Sequence, residues 1–304
     1  MIAAALLVLA LSPPAPPGPP PCAVTDLMPA FWTYWDAAKA LPAAEQERSF
    51  EKLVMAPNAA VYDGAFHGAP APVAKFIGDA LAKVPALESD MRDLSVRLSA
   101  ELPRQIARFR ETFPRFHCDT AVYFLYAAGA FDGATREVDG KDALMFGLDT
   151  IARLKEPLSP LFAHELFHVY HGQRIPKPPE AFYWQMWEEG LASYVSRRLN
   201  PDVPESQVCC IPPAESIDAA AVWPKVVAGA LERLESANEA DYRRYFLGGK
   251  EEIDIPRRSG YLLGYRIAAE AGKTHTLEEL ADLPPEQVRK LIRSELQRME
   301  RKTY

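Results

Sequence analysis

The sequence lacks an excess of positive charge and the short motifs of several enzyme classes. It has 34 Lys and Arg residues against 41 Asp and Glu, a net charge of −7. This argues against a nucleic acid as partner, because binding the phosphate backbone needs clustered positive charge. There is no glycine-rich phosphate loop, no nucleophile elbow and no internal repeat in the sequence. With 304 residues, the chain is long enough to bury a sizeable hydrophobic core.

Long hydrophobic runs are also missing. The apolar run at residues 2–11 has ten residues, whereas a transmembrane helix needs about 20. Its length fits the apolar region of a secretory signal peptide, although no Lys or Arg precedes it. Seven prolines between residues 13 and 21 then predict an extended linker. We expect an exported protein, periplasmic or secreted, without a stable membrane span; a disordered cytosolic tail is the alternative.

Cysteine is scarce, and its four positions are Cys22, Cys118, Cys209 and Cys210. No Cys-x-x-Cys pair occurs, which argues against a structural zinc finger. In an exported protein four cysteines permit two disulfides, with three possible connectivities. Neighbouring cysteines rarely bond to each other without strain, so one of Cys209 and Cys210 is expected to pair with Cys22 or Cys118. Free buried thiols are the alternative.

The hydrophobic pattern predicts an α+β fold that is mostly α. Apolar residues recur at helical spacing from Leu87 to Leu102, and Pro103 is expected to interrupt that helix. Three strand-like stretches follow at residues 121–126, 134–138 and 143–148. Asp139-Gly140 between the last two predicts a hairpin, hence a short antiparallel sheet before the next helix.

The most informative segment is residues 159–172, SPLFAHELFHVYHG. Ser159 is a suitable N-cap, Pro160 suits the first helical position, and Gly172 can end a helix. A spacing of four places His164 and His168 one turn apart on one helix face, where both can bind one metal ion. Glu165 lies between them in sequence and can take a proton from a water at that ion.

A catalytic zinc needs at least one further protein ligand. Residues 180–199 predict a long aromatic helix that stops at Asn200-Pro201 and carries Glu188 and Glu189. A buried carboxylate without a partner is costly, and a metal ion is one such partner. Either glutamate can serve on this reasoning.

These two helices resemble those of the gluzincin metallopeptidases, the group that includes thermolysin and aminopeptidase N. The segment 189–195, EGLASYV, is similar to their glutamate helix, and twenty residues separate His168 from Glu189. The resemblance implies a zincin-like domain with one Zn²⁺ per chain, held by His164, His168 and Glu189. It also implies that residues 143–149 form the edge strand that aligns a peptide substrate. The Gly-x-Met-Glu-Asn motif of aminopeptidases is absent, so a general aminopeptidase is not expected.

The family also supplies a Tyr or His that donates to the oxyanion of the transition state. Tyr261 is the preferred candidate by its distance along the chain from Glu189, with Tyr265 and His275 as alternatives. His171 is expected on the surface or around the site rather than as a ligand. His67 and His117 are expected to be structural or exposed.

The sequence thus predicts three parts: a signal peptide and linker at 1–21, a helical region at 22–115 and a zincin-like domain at 116–304. The expected function is zinc-dependent hydrolysis of peptide bonds, with Glu165 as general base and a peptide or protein as substrate. The alternative is a binding or assembly module on the same scaffold, with zinc structural or absent. The oligomeric state is left open.

Overall fold

The computed structural model describes residues 22–67, 73–208, 222–247 and 255–302. The apolar run at 2–11, the proline-rich stretch and the cysteines at 209 and 210 lie outside these residues. The described chain is mostly helical around one small sheet, in agreement with the predicted α+β class. None of its helices is both long and apolar enough to cross a lipid bilayer.

Thirteen α-helices form the described part of the fold. They are α1 Met28–Ala38, α2 Ala43–Phe50, α3 Ala59–Ala65, α4 Val73–Leu81, α5 Val84–Thr112, α6 Leu148–Leu154, α7 Leu158–Arg174, α8 Phe182–Leu199, α9 Trp223–Glu232, α10 Glu239–Tyr242, α11 Ser259–Ala271, α12 Leu277–Ala281 and α13 Pro285–Lys302. A π-helical turn follows α2 at Glu51–Met55, and another follows α10 at Arg243–Leu247. Short 3₁₀ turns lie at Ala56–Asn58 and Glu205–Gln207.

The sheet has four strands in the order β1-β2-β4-β3, with β1 at Val24–Asp26, β2 at Ala121–Leu125, β3 at Gly133–Val138 and β4 at Lys141–Gly147. The predicted hairpin is confirmed: β3 and β4 pair antiparallel around Asp139-Gly140, both at positive φ, as a two-residue hairpin turn requires. The expectation of an antiparallel sheet is wrong, because β1, β2 and β4 run parallel. The three-residue β1 was too short to leave a pattern in the sequence.

The edge strands are β1 and β3, so the expectation that residues 143–149 form an edge strand is wrong. Strand β4 lies between β2 and β3, and every residue from Ala143 to Gly147 is buried. A strand covered on both faces reads as a continuous apolar run, which explains its composition. Leu148 and Asp149 already belong to α6.

Two helix boundaries differ from the prediction. Helix α5 runs through Pro103. The missing proline N–H leaves the carbonyl of Ser99 unbonded, but Ser99 and Pro103 are both exposed, so water can bind it. Helix α7 begins at Leu158 with Pro157 at the N-cap and continues past Gly172 to Arg174. The predicted glutamate helix is confirmed as α8, which ends before Asn200.

A disulfide joins Cys22 to Cys118. The expectation that one of the adjacent cysteines takes Cys22 or Cys118 is therefore wrong. The cause lies in the sheet: β1 and β2 are parallel, with Val24 opposite Val122, so the residues that precede the two strands meet at the same end. Their Cα atoms are 4.9 Å apart.

Candidate metal centre

Three side-chain atoms from α7 and α8 converge on one point. The Nε2 atoms of His164 and His168 are 3.0 Å apart. Glu189 Oε2 lies 3.3 Å from His164 Nε2 and 3.4 Å from His168 Nε2. This is the group of potential metal ligands found in the described residues, and it contains the three ligands predicted from the sequence.

Antiparallel packing of α7 against α8 brings these side chains together. Near one end Ser196 Oγ donates to the Pro160 carbonyl at 2.8 Å, and near the other His171 stacks on Trp184 with ring centroids 5.3 Å apart. Between these contacts, Glu189 faces the two histidines. Gly190, beside it, lets the backbone of α11 approach at Gly264, where a Cβ on either glycine would overlap the other helix.

The triangle formed by the three ligand atoms, His164 Nε2, His168 Nε2 and Glu189 Oε2, fits one face of a tetrahedral zinc site. Zinc bonds of about 2.0–2.1 Å to nitrogen and oxygen give ligand–ligand distances of about 3.3–3.4 Å in a tetrahedron. The three observed separations, 3.0 to 3.4 Å, are close to these values. Two imidazoles and one carboxylate also leave a fourth position open, as in catalytic rather than structural sites. The choice between the two glutamates falls on Glu189, since Glu188 lines the cleft outside the triangle.

The charges of the three groups change one another's pKa. Burial lowers the pKa of His168, but the carboxylates of Glu189, Glu165 and Glu188 outweigh it and raise the pKa to about 10. Burial likewise raises the pKa of Glu189, but the two histidines hold it well below its usual range. The pKa of His164 is lowered by burial. The Glu189 carboxylate is thus held ionised by positive charge at the point where the three side chains meet.

Glu165 lies beside this centre and is buried, with 5% of its surface exposed. Its carboxyl packs against Gly133, the first residue of β3: a Cβ built on that glycine would lie 2.6 Å from Glu165 Oε1. Burial raises the pKa of Glu165 to about 8. A carboxylate with a raised pKa at the wall of a cleft has the properties of a general base.

The centre lies in a cleft of about 760 Å³. Its lining includes β3 and the loop before it, α7, α8, the start of α11, and Tyr242, Phe246 and Leu247. The candidate centre and strand β3 therefore border the same cleft.

The three candidates for oxyanion donor occupy different places. Tyr261 lines the cleft, with its ring centroid 6.4 Å from that of His164. Tyr265, whose pKa burial raises to about 12, instead packs on Tyr194 with ring centroids 6.2 Å apart. His275 is exposed beyond the end of α11 and contacts the Ala271 carbonyl. His275 follows α11 and, unlike Tyr261, is not among the described residues that line the cleft.

The three remaining histidines lie outside the group of ligands. His171 is not at the surface: it is buried between Phe167 and Trp184, and burial lowers its pKa to about 3. His67 and His117 are exposed.

Sequence reasoning missed the loop before β3. Asp149 accepts hydrogen bonds from the backbone N–H groups of Ala127, at 2.8 Å, and Gly129, at 2.6 Å. These bonds hold a turn in which Ala128 and Gly129 have positive φ, and the turn leads to Gly133 at the centre. Burial raises the pKa of Asp149 to about 6. Asp132-Gly133 is a turn signal in the sequence, but only the fold places it against Glu165.

The chain matches no protein-family model, no curated protein and no solved structure. The gluzincin resemblance therefore stays a prediction, and a function has to be argued from the geometry of the centre.

Proposed function

We propose that this protein is a zinc-dependent peptidase of the zincin type, with one zinc ion held by His164, His168 and Glu189. The observation that carries the proposal is the convergence of these three ligand atoms in a cleft that also contains the buried carboxyl of Glu165. When bound there, zinc supplies Lewis acidity: it lowers the pKa of a coordinated water to about 7 and polarises a carbonyl oxygen.

Glu165 acts as the general base. Its carboxylate takes a proton from the attacking water and returns it to the leaving amine. Burial disfavours the charged carboxylate, which favours uptake of the proton from water. Burial against Gly133 holds the carboxyl in one place, so that little reorientation is needed.

The free edge of β3 positions the substrate. The Gly147 N–H donates to the Asp132 carbonyl at 2.9 Å, and paired and unpaired residues alternate along an antiparallel ladder. Gly133 and Thr135 therefore direct their backbone groups away from β4 along an open stretch of the edge, whereas α3 covers the edge at Glu137, whose carbonyl a Cβ on Gly64 would overlap. An extended peptide can add to this edge as a further strand.

Tyr261 donates a hydrogen bond to the oxyanion. It is the tyrosine of the two candidates that lines the cleft, and its ring lies beside that of His164. The sequence departs from aminopeptidases in lacking their amine-binding motif, so the proposed activity is that of an endopeptidase or a peptidase of narrow specificity.

The proposed location is the periplasm or the exterior. The disulfide between Cys22 and Cys118 supports this, because disulfides persist mainly in oxidising compartments.

A peptide library with quenched fluorophores tests the proposal. We expect cleavage by the zinc-loaded protein, its loss on treatment with a chelator, and its return when zinc is added back. Zinc bound at one per chain without cleavage of any peptide would instead favour a binding or assembly module. Cleavage that resists the chelator would contradict the proposed mechanism.

Gly133→Ala tests whether the position of the Glu165 carboxyl matters. The new Cβ would lie 2.6 Å from that carboxyl and must displace it, and displacement by about 1 Å can lower a rate about 100-fold. We expect hydrolysis to fall at least about tenfold while the zinc content stays at one per chain.

The matched control for this variant is Gly172→Ala. A Cβ at Gly172 meets no atom within 4 Å, so hydrolysis should be unchanged. Equal rates for wild type and Gly133→Ala would show that Glu165 does not need its observed position.

A further inference from the structure

Two arginines line the cleft without a salt bridge, although Arg136 lies near enough to Glu165, and Arg153 near enough to Asp149, to lower the pKa of that carboxyl. Neither Arg136 on β3 nor Arg153 on α6 forms a salt bridge with any described residue. Acidic residues outnumber basic residues in this chain, 41 to 34, so acidic side chains that could pair with an arginine are not scarce. Guanidinium groups without a salt bridge in the proposed substrate cleft point to a ligand that carries negative charge.

The guanidinium of Arg136 is held in place by uncharged groups. Its Nη1 donates to the carbonyl of the neighbouring Thr135 at 3.1 Å, and its Cζ lies 5.6 Å from the centre of the Phe131 ring. The Nε atom is buried and has no hydrogen-bond partner. The side chain is therefore oriented, but much of its hydrogen-bonding capacity is unused.

These contacts place the charge on the free edge of the sheet. The Thr135 carbonyl is one of the backbone groups that face away from β4, and Arg136 binds it from that side. At about 3.4 Å per residue, Arg136 lies about 10 Å along β3 from Gly133. A peptide paired with β3 and cleaved beside Glu165 would thus pass the guanidinium about three residues from the scissile bond.

We propose that the cleft selects peptides with a carboxylate about three residues from the cleaved bond, and that Arg136 binds this carboxylate. The planar guanidinium suits a carboxylate because it can donate two parallel hydrogen bonds. Arg153, exposed at the rim of the same cleft, adds positive charge that attracts such peptides. The inference rests on the proposed peptidase function, for which it names the substrate class.

Two kinds of carboxylate meet this description, the side chain of Asp or Glu and the C-terminus of the peptide. The experiment therefore uses three peptides that differ at the position facing Arg136. One has an internal Glu, the second an internal Gln, and the third ends there with a free carboxylate. The first two carry an amidated C-terminus, so their only difference is the side-chain charge.

We expect the wild type to cleave a carboxylate peptide at least about tenfold faster than the Gln peptide, measured as kcat/KM, since hydrogen bonds between two charged groups are stronger than those to a neutral amide. In Arg136→Gln this ratio should fall to about one, and in Arg136→Glu it should fall below one. Arg104→Gln is the control, since Arg104 is exposed on α5, and its ratio should equal that of the wild type.

A binding measurement separates failure of the inference from failure of the proposed function. Zinc-loaded Glu165→Gln is titrated with the Glu and Gln peptides, followed by fluorescence anisotropy. Tighter binding of the Glu peptide that is lost when Arg136→Gln is added supports the carboxylate site, even if no variant cleaves peptides. Cleavage of the Glu, Gln and free-carboxylate peptides with equal kcat/KM would overturn the inference and leave the peptidase proposal standing.

Discussion

Glu165→Gln is expected to abolish peptide hydrolysis, with a loss of at least about 100-fold, as for removal of a general base. Glutamine keeps the size of the side chain against Gly133 but cannot accept the proton of the attacking water. The ligands at His164, His168 and Glu189 are untouched, so the zinc content should stay at one per chain. Metal analysis and initial rates on the same preparation measure both results.

The matched control for this variant is Glu188→Gln. Glu188 is a second carboxyl that lines the cleft, yet it lies outside the group of three ligand atoms. We expect this variant to retain both zinc and hydrolysis. Full hydrolysis by Glu165→Gln would refute Glu165 as the base, and loss of zinc from Glu188→Gln would refute the choice of Glu189 as ligand.

His168→Ala is expected to lose both zinc and hydrolysis. The change leaves His164 and Glu189, and catalytic zinc sites use three protein ligands. A ligand that binds the folded state alone also stabilises it. Added zinc should therefore raise the thermal midpoint of the wild type but not that of the variant. Metal content per chain and thermal unfolding with and without zinc provide the measurements.

His117→Ala is the control for removal of a histidine. His117 is exposed and lies outside the group of ligands, so zinc should still bind and raise the thermal midpoint. One zinc per chain in His168→Ala would contradict the proposed ligand set.

The site was more predictable from sequence than the sheet that positions it. A spacing of four within one helix fixes the relation of His164 to His168 without knowledge of the fold. Glu189 was reached through resemblance, and only the fold shows that the helix carrying it, α8, packs against α7. The hairpin was found because Asp139-Gly140 is a local turn signal.

The errors concern relations between distant parts of the chain. The Cys22–Cys118 pairing depends on β1 lying parallel to β2, and the order of strands makes β3 an edge strand. Neither can be read from a local pattern, because both depend on which segments pack together. For the same reason no local pattern indicates that Gly133 lies beside Glu165 or that Arg136 lies on the free edge.

Diffraction data collected at the zinc absorption edge would show whether zinc binds to His164, His168 and Glu189. From protein purified without added metal, we expect one anomalous peak per chain, about 2.0–2.2 Å from His164 Nε2, His168 Nε2 and a carboxylate oxygen of Glu189. No peak between these three side chains, or zinc bound only elsewhere on the molecule, would contradict this prediction.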